Sequence, residues 1–319
     1  MKFLLRMVLV LVVTCLVFAV AGFIATWAPD RSVDQLKARW ATEPSEFLLI
    51  DGMQVHVRDE GPRDDPVPVV LIHGTSSSLH TWDGWTTALK PQRRVIRFDL
   101  PGFGLTGPDP ANDYSLDAYV RVVKGVVDAL GIQSFVVAGN SLGGQIAWAT
   151  AAAVPQRVKQ LVLVDAAGYP MAPQSIPIGF RIARIPGLRH LAELILPRGV
   201  IESSLRNVYG DPSKVTPELV DRYYELTLRE GNRKALAYRF DQMLKADVAT
   251  DIAAIRALKV PTLIMWGGKD RLIPVDNGKR FAADIAVSRL VVLDDLGHVP
   301  QEEDPVRTVK IMENFLQKP

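Results

Sequence analysis

The sequence predicts an α/β domain: a mainly parallel sheet with helices on both faces, a helical insertion near its middle, and one apolar helix in front of it. Three observations carry this. Apolar strand-like runs alternate with helical stretches from about Glu46 onward, the alternation breaks between Tyr169 and Asp247 and resumes at Val260, and the first 27 residues are almost free of charge. The chain has 319 residues, 48% hydrophobic and 23% charged, enough to bury one large core and too apolar for a disordered segment.

The N-terminus reads as a membrane segment. Met7 to Trp27 contains no charged residue, the length a helix needs to cross about 30 Å of hydrocarbon. Residues 1–28 are therefore expected to be a retained transmembrane anchor. Lys2 and Arg6 on its N-terminal side predict a cytoplasmic start and a body outside the cytoplasm. A cleaved signal peptide is the competing reading, because Ala19-Val20-Ala21 has the small-x-small pattern of a cleavage site; the protein would then be secreted. Residues 29–45, polar with an amphipathic centre, read as a stalk.

Beyond the stalk, "FLLIDGMQVHVRDEG" has the pattern of a hairpin turning at Asp51-Gly52. "VPVVLIHG", "RVIRFDLPGFG", "FVVAGNS", "QLVLVDAAG", "PTLIMWGGKD" and "RLVVLDDLGH" are strands that each end in glycine or small polar residues. Between them, Ser115 to Leu130 and Gly144 to Ala153 have helical periodicity, with Ser115 as N-cap. The core is thus expected over 46–168 and 248–319, and a helical cap over 169–247.

Composition excludes several kinds of function. With 37 basic and 35 acidic residues the net charge is +2, and no basic stripe interleaved with aromatics marks a nucleic-acid site. The only cysteine, Cys15, lies in the apolar N-terminal run, which rules out a disulfide framework, a cysteine-rich metal site or a thiol nucleophile in the folded domain.

The chemistry concentrates at "AGNSLGGQIAW". A strand, FVVAG, and a helix, QIAWATAAA, enclose Gly139-Asn140-Ser141-Leu142-Gly143. This is the G-x-S-x-G arrangement in which small residues let strand and helix approach closely while a serine occupies a strained, exposed turn. The pentapeptide alone is common; its strand-turn-helix setting makes it specific. A serine hydroxyl needs a base, and the base needs a carboxylate to fix its tautomer. Of the five histidines, His56 falls in the hairpin, His80 in a polar loop and His190 in the insertion, whereas His298 follows the last strand on a loop that can reach across the strand ends. Asp270 follows the penultimate strand and supplies the acid. Asp165, at the end of "LVLVD", is its rival; Asp294 and Asp295 are too close in sequence to His298, and Asp99 is expected to tie down its own loop. The order is then Ser141, Asp270, His298. Oxyanion donors are expected from the backbone N–H groups of Leu142 and Thr75, with His73 packed beneath the loop it shapes and Ser76, Ser77 and Ser78 outside the bond-breaking chemistry.

"LIHGTSSSLHTWDGW", "RFDLPGFGLT", "GNSLGG", "GGKDRLIP" and "LGHVPQEEDP" together resemble the α/β-hydrolase fold superfamily, of the single-domain type with a lid. The resemblance runs from about Glu46 to the C-terminus, outside the insertion. It implies an eight-stranded sheet, a helical cap and a Ser-His-Asp hydrolase needing neither metal nor cofactor, similar to serine esterases and lipases. A small-molecule ester is the expected substrate, and the membrane is contacted through the N-terminal helix. Carbon-carbon bond hydrolases of ring-cleavage products are the alternative. They are ranked second because the loop after His73-Gly74 lacks their glycine-rich run and Val299 stands where an aromatic residue often follows the histidine. Relatives with an aspartate nucleophile are disfavoured by Ser141. A membrane-tethered binding protein that has lost the chemistry is a further reading; the presence of all three side chains argues against it.

Overall fold

The computed structural model describes residues 2–170, 172–185, 193–243 and 247–317. Eight strands form one sheet: β1 (Ser45–Ile50), β2 (Met53–Glu60), β3 (Val69–Ile72), β4 (Val95–Phe98), β5 (Phe135–Asn140), β6 (Val158–Val164), β7 (Thr262–Gly267) and β8 (Ser288–Leu293). Their spatial order is β1-β2-β4-β3-β5-β6-β7-β8. β1 and β2 are antiparallel, as are β2 and β4, and every other pairing is parallel. The hairpin closes with Ile50 opposite Met53 across Asp51 (φ 49°) and Gly52 (φ 80°), the two positive φ angles that a two-residue turn of matching twist requires.

Both faces of the parallel strands are buried, which is why they read as continuous apolar runs and not as alternating ones. Val70, Ile72, Val137, Leu163 and Trp266 face the layer that contains the helices Leu116–Ala129 and Leu142–Ala153. The intervening Val69, Leu71, Val136, Val162 and Met265 face the layer of Asp83–Leu89 and Pro305–Leu316. Between β6 and β7 the helices Ile178–Ala183, Arg198–Val208, Pro217–Thr227 and Asn232–Met243 replace the strand-helix alternation. His190 lies outside the described residues.

The segment read as a stalk is docked on the body. Ser32 caps the helix Val33–Trp40 through Gln35, and Leu36 is buried with Leu105 and Leu226. Trp40 Nε1 donates to Glu225 at 2.7 Å and Arg39 pairs with the same carboxylate at 2.9 Å. A polar composition was compatible with a free linker; the apolar spots that receive Leu36 come from residues 69 and 190 positions further along the chain (36 to 105 and 36 to 226).

A buried polar cluster ties this segment to the sheet edge. Asp99 accepts hydrogen bonds from His56 Nδ1 (2.7 Å), Leu79 N (2.7 Å) and Leu105 N (2.8 Å), so it holds its own loop as expected. His80 lies between Ser78 Oγ and the Trp40 carbonyl, to which its Nε2 donates at 3.0 Å. Burial pushes His80 down from 6.5 to about 3, against the pull of Asp99, and burial likewise lowers His73. Burial opposes the charge on Asp99, yet His56, bonded directly to it, holds it well below the ordinary carboxylate range.

These shifts set the sign of the acid response. Below about pH 6.5 the unfolded chain protonates the two imidazoles and the folded chain does not, so stability is lost as pH falls through that window. A further loss begins below about pH 4, where unfolded Asp99 takes up its proton first. The melting temperature is expected to drop by several degrees between about pH 7 and pH 5. A flat profile across that interval would show that the imidazoles are not held neutral.

Candidate active site

Ser141 sits between β5 and the helix Leu142–Ala153 with φ 57° and ψ −117°, a left-handed conformation unusual for a residue with a Cβ. The strain is held from several sides. Ser141 N donates to Val164 O at 3.0 Å, and its carbonyl accepts from Gln145 N (3.1 Å) and Ala167 N (3.0 Å). The flanking glycines allow the close approach: a Cβ on Gly139 would overlap the Gly143 carbonyl, and one on Gly143 would overlap the Ile72 carbonyl. Strand, turn and helix are thereby pressed together, which is the physical content of the G-x-S-x-G spacing.

The loop after β7 carries Asp270, and the loop after β8 carries His298. His298 Nδ1 and Asp270 Oδ2 are 2.6 Å apart and both side chains are buried. The other oxygen of Asp270 accepts from Leu272 N (2.8 Å) and Ile273 N (3.0 Å), which fixes the carboxylate plane. Asn140 donates to the His298 carbonyl at 2.9 Å and to Val164 O at 3.1 Å, so the residue before the serine also anchors the histidine loop. His298 N donates to Val208 O at 2.7 Å, tying the same loop to the inserted helices. Ser141 and His298 line one cavity.

Asp165 is the neighbour that the sequence left as a rival. It is fully buried with φ 45°, and one oxygen accepts from Gly267 N at 2.9 Å. Donor atoms of Asp165, Asp270 and His298 lie within 4.8 Å of one another, a spacing that a metal ion could also use. Here one Asp270 oxygen is already occupied by the imidazole and the other by two amides. Burial, reinforced by the charge of Asp270, pushes the Asp165 carboxyl far above the usual range, which favours its neutral form. Asn has the same shape and no charge, and Asp165→Asn is therefore expected to keep kcat/KM within about threefold of wild type. A loss near that of an Asp270 variant would make Asp165 the acid.

The loop Gly74-Thr75-Ser76 closes over the serine. A Cβ on Gly74 would come within 3.1 Å of the Ser141 Cβ, and Thr75 lines the cavity. Leu142 opens the helix, so its N–H is one of the helix-end donors without an intrahelical acceptor. His73 is buried beneath the loop; its Nδ1 is 2.7 Å from Gly74 O and its Nε2 accepts from Leu100 N at 2.9 Å. Both ring nitrogens are used structurally, as expected.

The cavity above Ser141 has a volume of about 340 Å³. Its walls are Phe180, Ile182, Leu196, Val200, Ile201 and Leu236 from the insertion, with Leu272 and Val299 from the core. Among the described lining residues, Arg233 is the one permanently charged side chain, and it pairs with Asp30 at 2.5 Å. Ser76 and Ser77 also face the cavity, and Ser77 Oγ is 3.1 Å from Tyr223 Oη, which donates to Glu302 at 2.8 Å. The sequence offered no signal for Arg233 or for these serines as cavity residues, because their placement depends on how the insertion folds back.

A family model described as the alpha/beta hydrolase fold matches residues 67–305. The 2-hydroxymuconate semialdehyde hydrolase of Pseudomonas sp. (strain CF600) is 31% identical over 276 residues, 84% of this chain and 92% of that protein. The structure of a meta-cleavage product hydrolase from Pseudomonas fluorescens IP01 superposes with a TM-score of 0.74 at 28% identity, covering 85% of this chain and 97% of that one. That of a thermophilic esterase from Thermogutta terrifontis gives a TM-score of 0.68 at 26% identity, covering 83% and 93%.

Proposed function

Because the chain belongs to the alpha/beta hydrolase fold family, we propose that it is a serine hydrolase that cleaves uncharged carboxylic esters through an acyl-enzyme. Ser141 is the nucleophile, His298 the general base and Asp270 the group that orients the imidazole. With Nδ1 of His298 committed to Asp270, Nε2 is free to take the serine proton as Oγ attacks the ester carbonyl. Thr75 and Leu142 amides receive the developing oxyanion. The protonated imidazole then passes its proton to the departing alkoxide, and water repeats the sequence to release the acid.

The observation that carries the ester reading is the cavity wall: apolar on nearly every side, with the one permanent cation among its described lining residues already paired to Asp30. An uncharged acyl chain gives up no ionic hydration on entering such a space, and each buried methylene contributes about 0.8 kcal/mol, roughly fourfold in binding. A carboxylate would lose its hydration, with no unshared permanent positive charge among the described lining residues to replace it.

A second reading is carbon-carbon bond hydrolysis of ring-cleavage-type diketones. It is favoured by the relatives, since the one at 31% identity and the neighbour at 28% are named for that chemistry. The substrate in the first of those names is a carboxylate anion, which is what the wall of this cavity serves poorly. Thr75-Ser76-Ser77-Ser78 in place of a glycine-rich run, and Val299 after the histidine, separate this chain further from that pattern.

A p-nitrophenyl ester series from acetate to palmitate, run beside a vinylogous 1,5-diketone, decides between them. The expected result is a maximum at short-to-medium chains with kcat/KM rising about fourfold per methylene up to that maximum. A flat profile would remove the pocket argument. Faster cleavage of the diketone than of any ester would establish the second reading.

We also propose that the N-terminal helix Lys2–Thr26 anchors the protein in a membrane with the body outside the cytoplasm. Its 22-residue apolar stretch Phe3–Ile24 supports a span, and Lys2 and Arg6 support that orientation.

A further inference from the structure

The apolar helix is joined to the wall of the cavity at the point where it ends. Ala28 N donates to Leu194 O and Leu196 N to Thr26 O, both at 3.0 Å, so that Trp27 and Ile195 form an antiparallel bridge. Ile195, Leu196 and Pro197 line the cavity. Two residues further on, Asp30 pairs with the cavity residue Arg233, and Arg31 exchanges backbone hydrogen bonds with Leu228 and Glu230 at 2.7 and 2.9 Å. Within five residues of leaving the helix, the chain has gripped two walls of the pocket.

Large apolar side chains are exposed at this junction and on the first stretch of the insertion. Trp27, Ile178, Ile185 and Leu194 are each between 43% and 48% exposed. Two of them stand beside residues that face inward: Pro177 and Gly179 beside Ile178, and Ile195 beside Leu194, line the cavity. At these two places the rim is one residue thick. Arg181 and Arg184, exposed on the same stretch, add the cations that favour an anionic headgroup layer. Phe3–Ile24, 22 residues at about 1.5 Å each, covers roughly 33 Å, a full hydrocarbon thickness, and its described apolar side chains are exposed.

We infer that the anchor lays the rim formed by Trp27, Ile178, Ile185 and Leu194 into the lipid headgroup layer, and that the substrate is an uncharged acyl ester dissolved in the bilayer, which enters the cavity across this rim. The orientation follows from the junction itself: a spanning helix whose last turn is bonded to Leu194–Leu196 leaves those residues at the membrane surface. Continuity with the helix is what makes lipid the occupant of the apolar rim. The substrate class rests on the ester reading above; the orientation does not.

The test uses the full-length chain in mixed phosphatidylcholine and phosphatidylglycerol vesicles. In a Cys15→Ser background, Ile178→Cys, Ile185→Cys and Leu194→Cys carry an environment-sensitive fluorophore, with the exposed body positions Leu49→Cys and Val306→Cys as controls. Spin-labelled lipid is expected to quench the three rim labels at least about threefold more than the controls. Ala28→Pro removes the N–H that bonds to Leu194. It is expected to lower hydrolysis of a medium-chain ester dissolved in the bilayer about tenfold, while aqueous p-nitrophenyl butyrate is turned over as before. Rim labels quenched no more than the controls would overturn the inference and leave the ester reading standing, whatever that variant does. If neither the aqueous nor the bilayer ester is hydrolysed, the ester reading and the substrate class fall together.

Discussion

Ser141→Ala is expected to lower ester kcat by about 10⁶-fold, with the far-ultraviolet spectrum and melting temperature close to those of the wild type. The loss is large because the hydroxyl is the only atom removed and it is the one that forms the acyl bond. What remains, roughly 10³- to 10⁴-fold over the uncatalysed reaction, would come from Thr75, Leu142 and the cavity. His298→Ala should fall as far, and the double variant no further, since the groups act as a unit. The check is steady-state turnover of the best ester in the series with the variants matched for folded fraction. A Ser141→Ala enzyme within tenfold of wild type would mean that another nucleophile carries the reaction.

Asp270→Asn tests the other end of the chain of hydrogen bonds. The amide keeps the size of the carboxylate but presents a donor or a neutral acceptor to His298 Nδ1, now 2.6 Å from a carboxylate oxygen. The imidazole then favours the tautomer with its proton on Nε2, where it can no longer accept from Ser141, and a loss of roughly 10⁴ in kcat is expected. Raising the pH should not rescue it, because the fault is a misplaced proton and not a missing charge. The contrast with Asp165→Asn is the informative part. Two aspartates lie within 4.8 Å of each other and of the histidine, yet only one is expected to matter. The difference traces to which oxygen touches the ring and to the burial that pushes the Asp165 carboxyl upward.

Much of this could be seen in the sequence. The parallel strands were legible because burial on both faces demands uninterrupted apolar runs, and each ended where glycine or a small polar residue let the chain turn. The serine turn was legible because a strained residue pressed between a strand and a helix tolerates few neighbours, and Gly139 and Gly143 mark where main chain meets main chain. His298 could be singled out because few histidines follow a strand, whereas Asp270 shared that kind of position with Asp165, and its approach to His298 is a long-range contact. His56 and His80, in contrast, gave no sign of their shared cluster around Asp99.

What the sequence withheld was long-range. Arg233 pairs with Asp30, 203 residues away, and that contact sets a carboxylate against a cation in the pocket. The segment around Leu36 looked like a linker because its helix is short and mostly polar; its docking depends on hollows formed by Leu105 and Leu226. Trp27 and Ile195 meet across 168 positions (27 to 195), and no local pattern announces a bridge between an anchor and a pocket wall. The cavity itself is a property of how the inserted helices settle on the strand ends, and periodicity within each helix does not report it.

The central claim is that Ser141, activated by His298 and Asp270, forms the covalent intermediate. An alkyl organophosphonate ester, incubated with the full-length protein and followed by proteolysis and mass spectrometry, tests it most directly. The account predicts a single stoichiometric adduct on the peptide containing Gly139-Asn140-Ser141-Leu142-Gly143, absent from Ser141→Ala and slowed by orders of magnitude in His298→Ala. An adduct on any other residue, or equal labelling of Ser141→Ala, would contradict it.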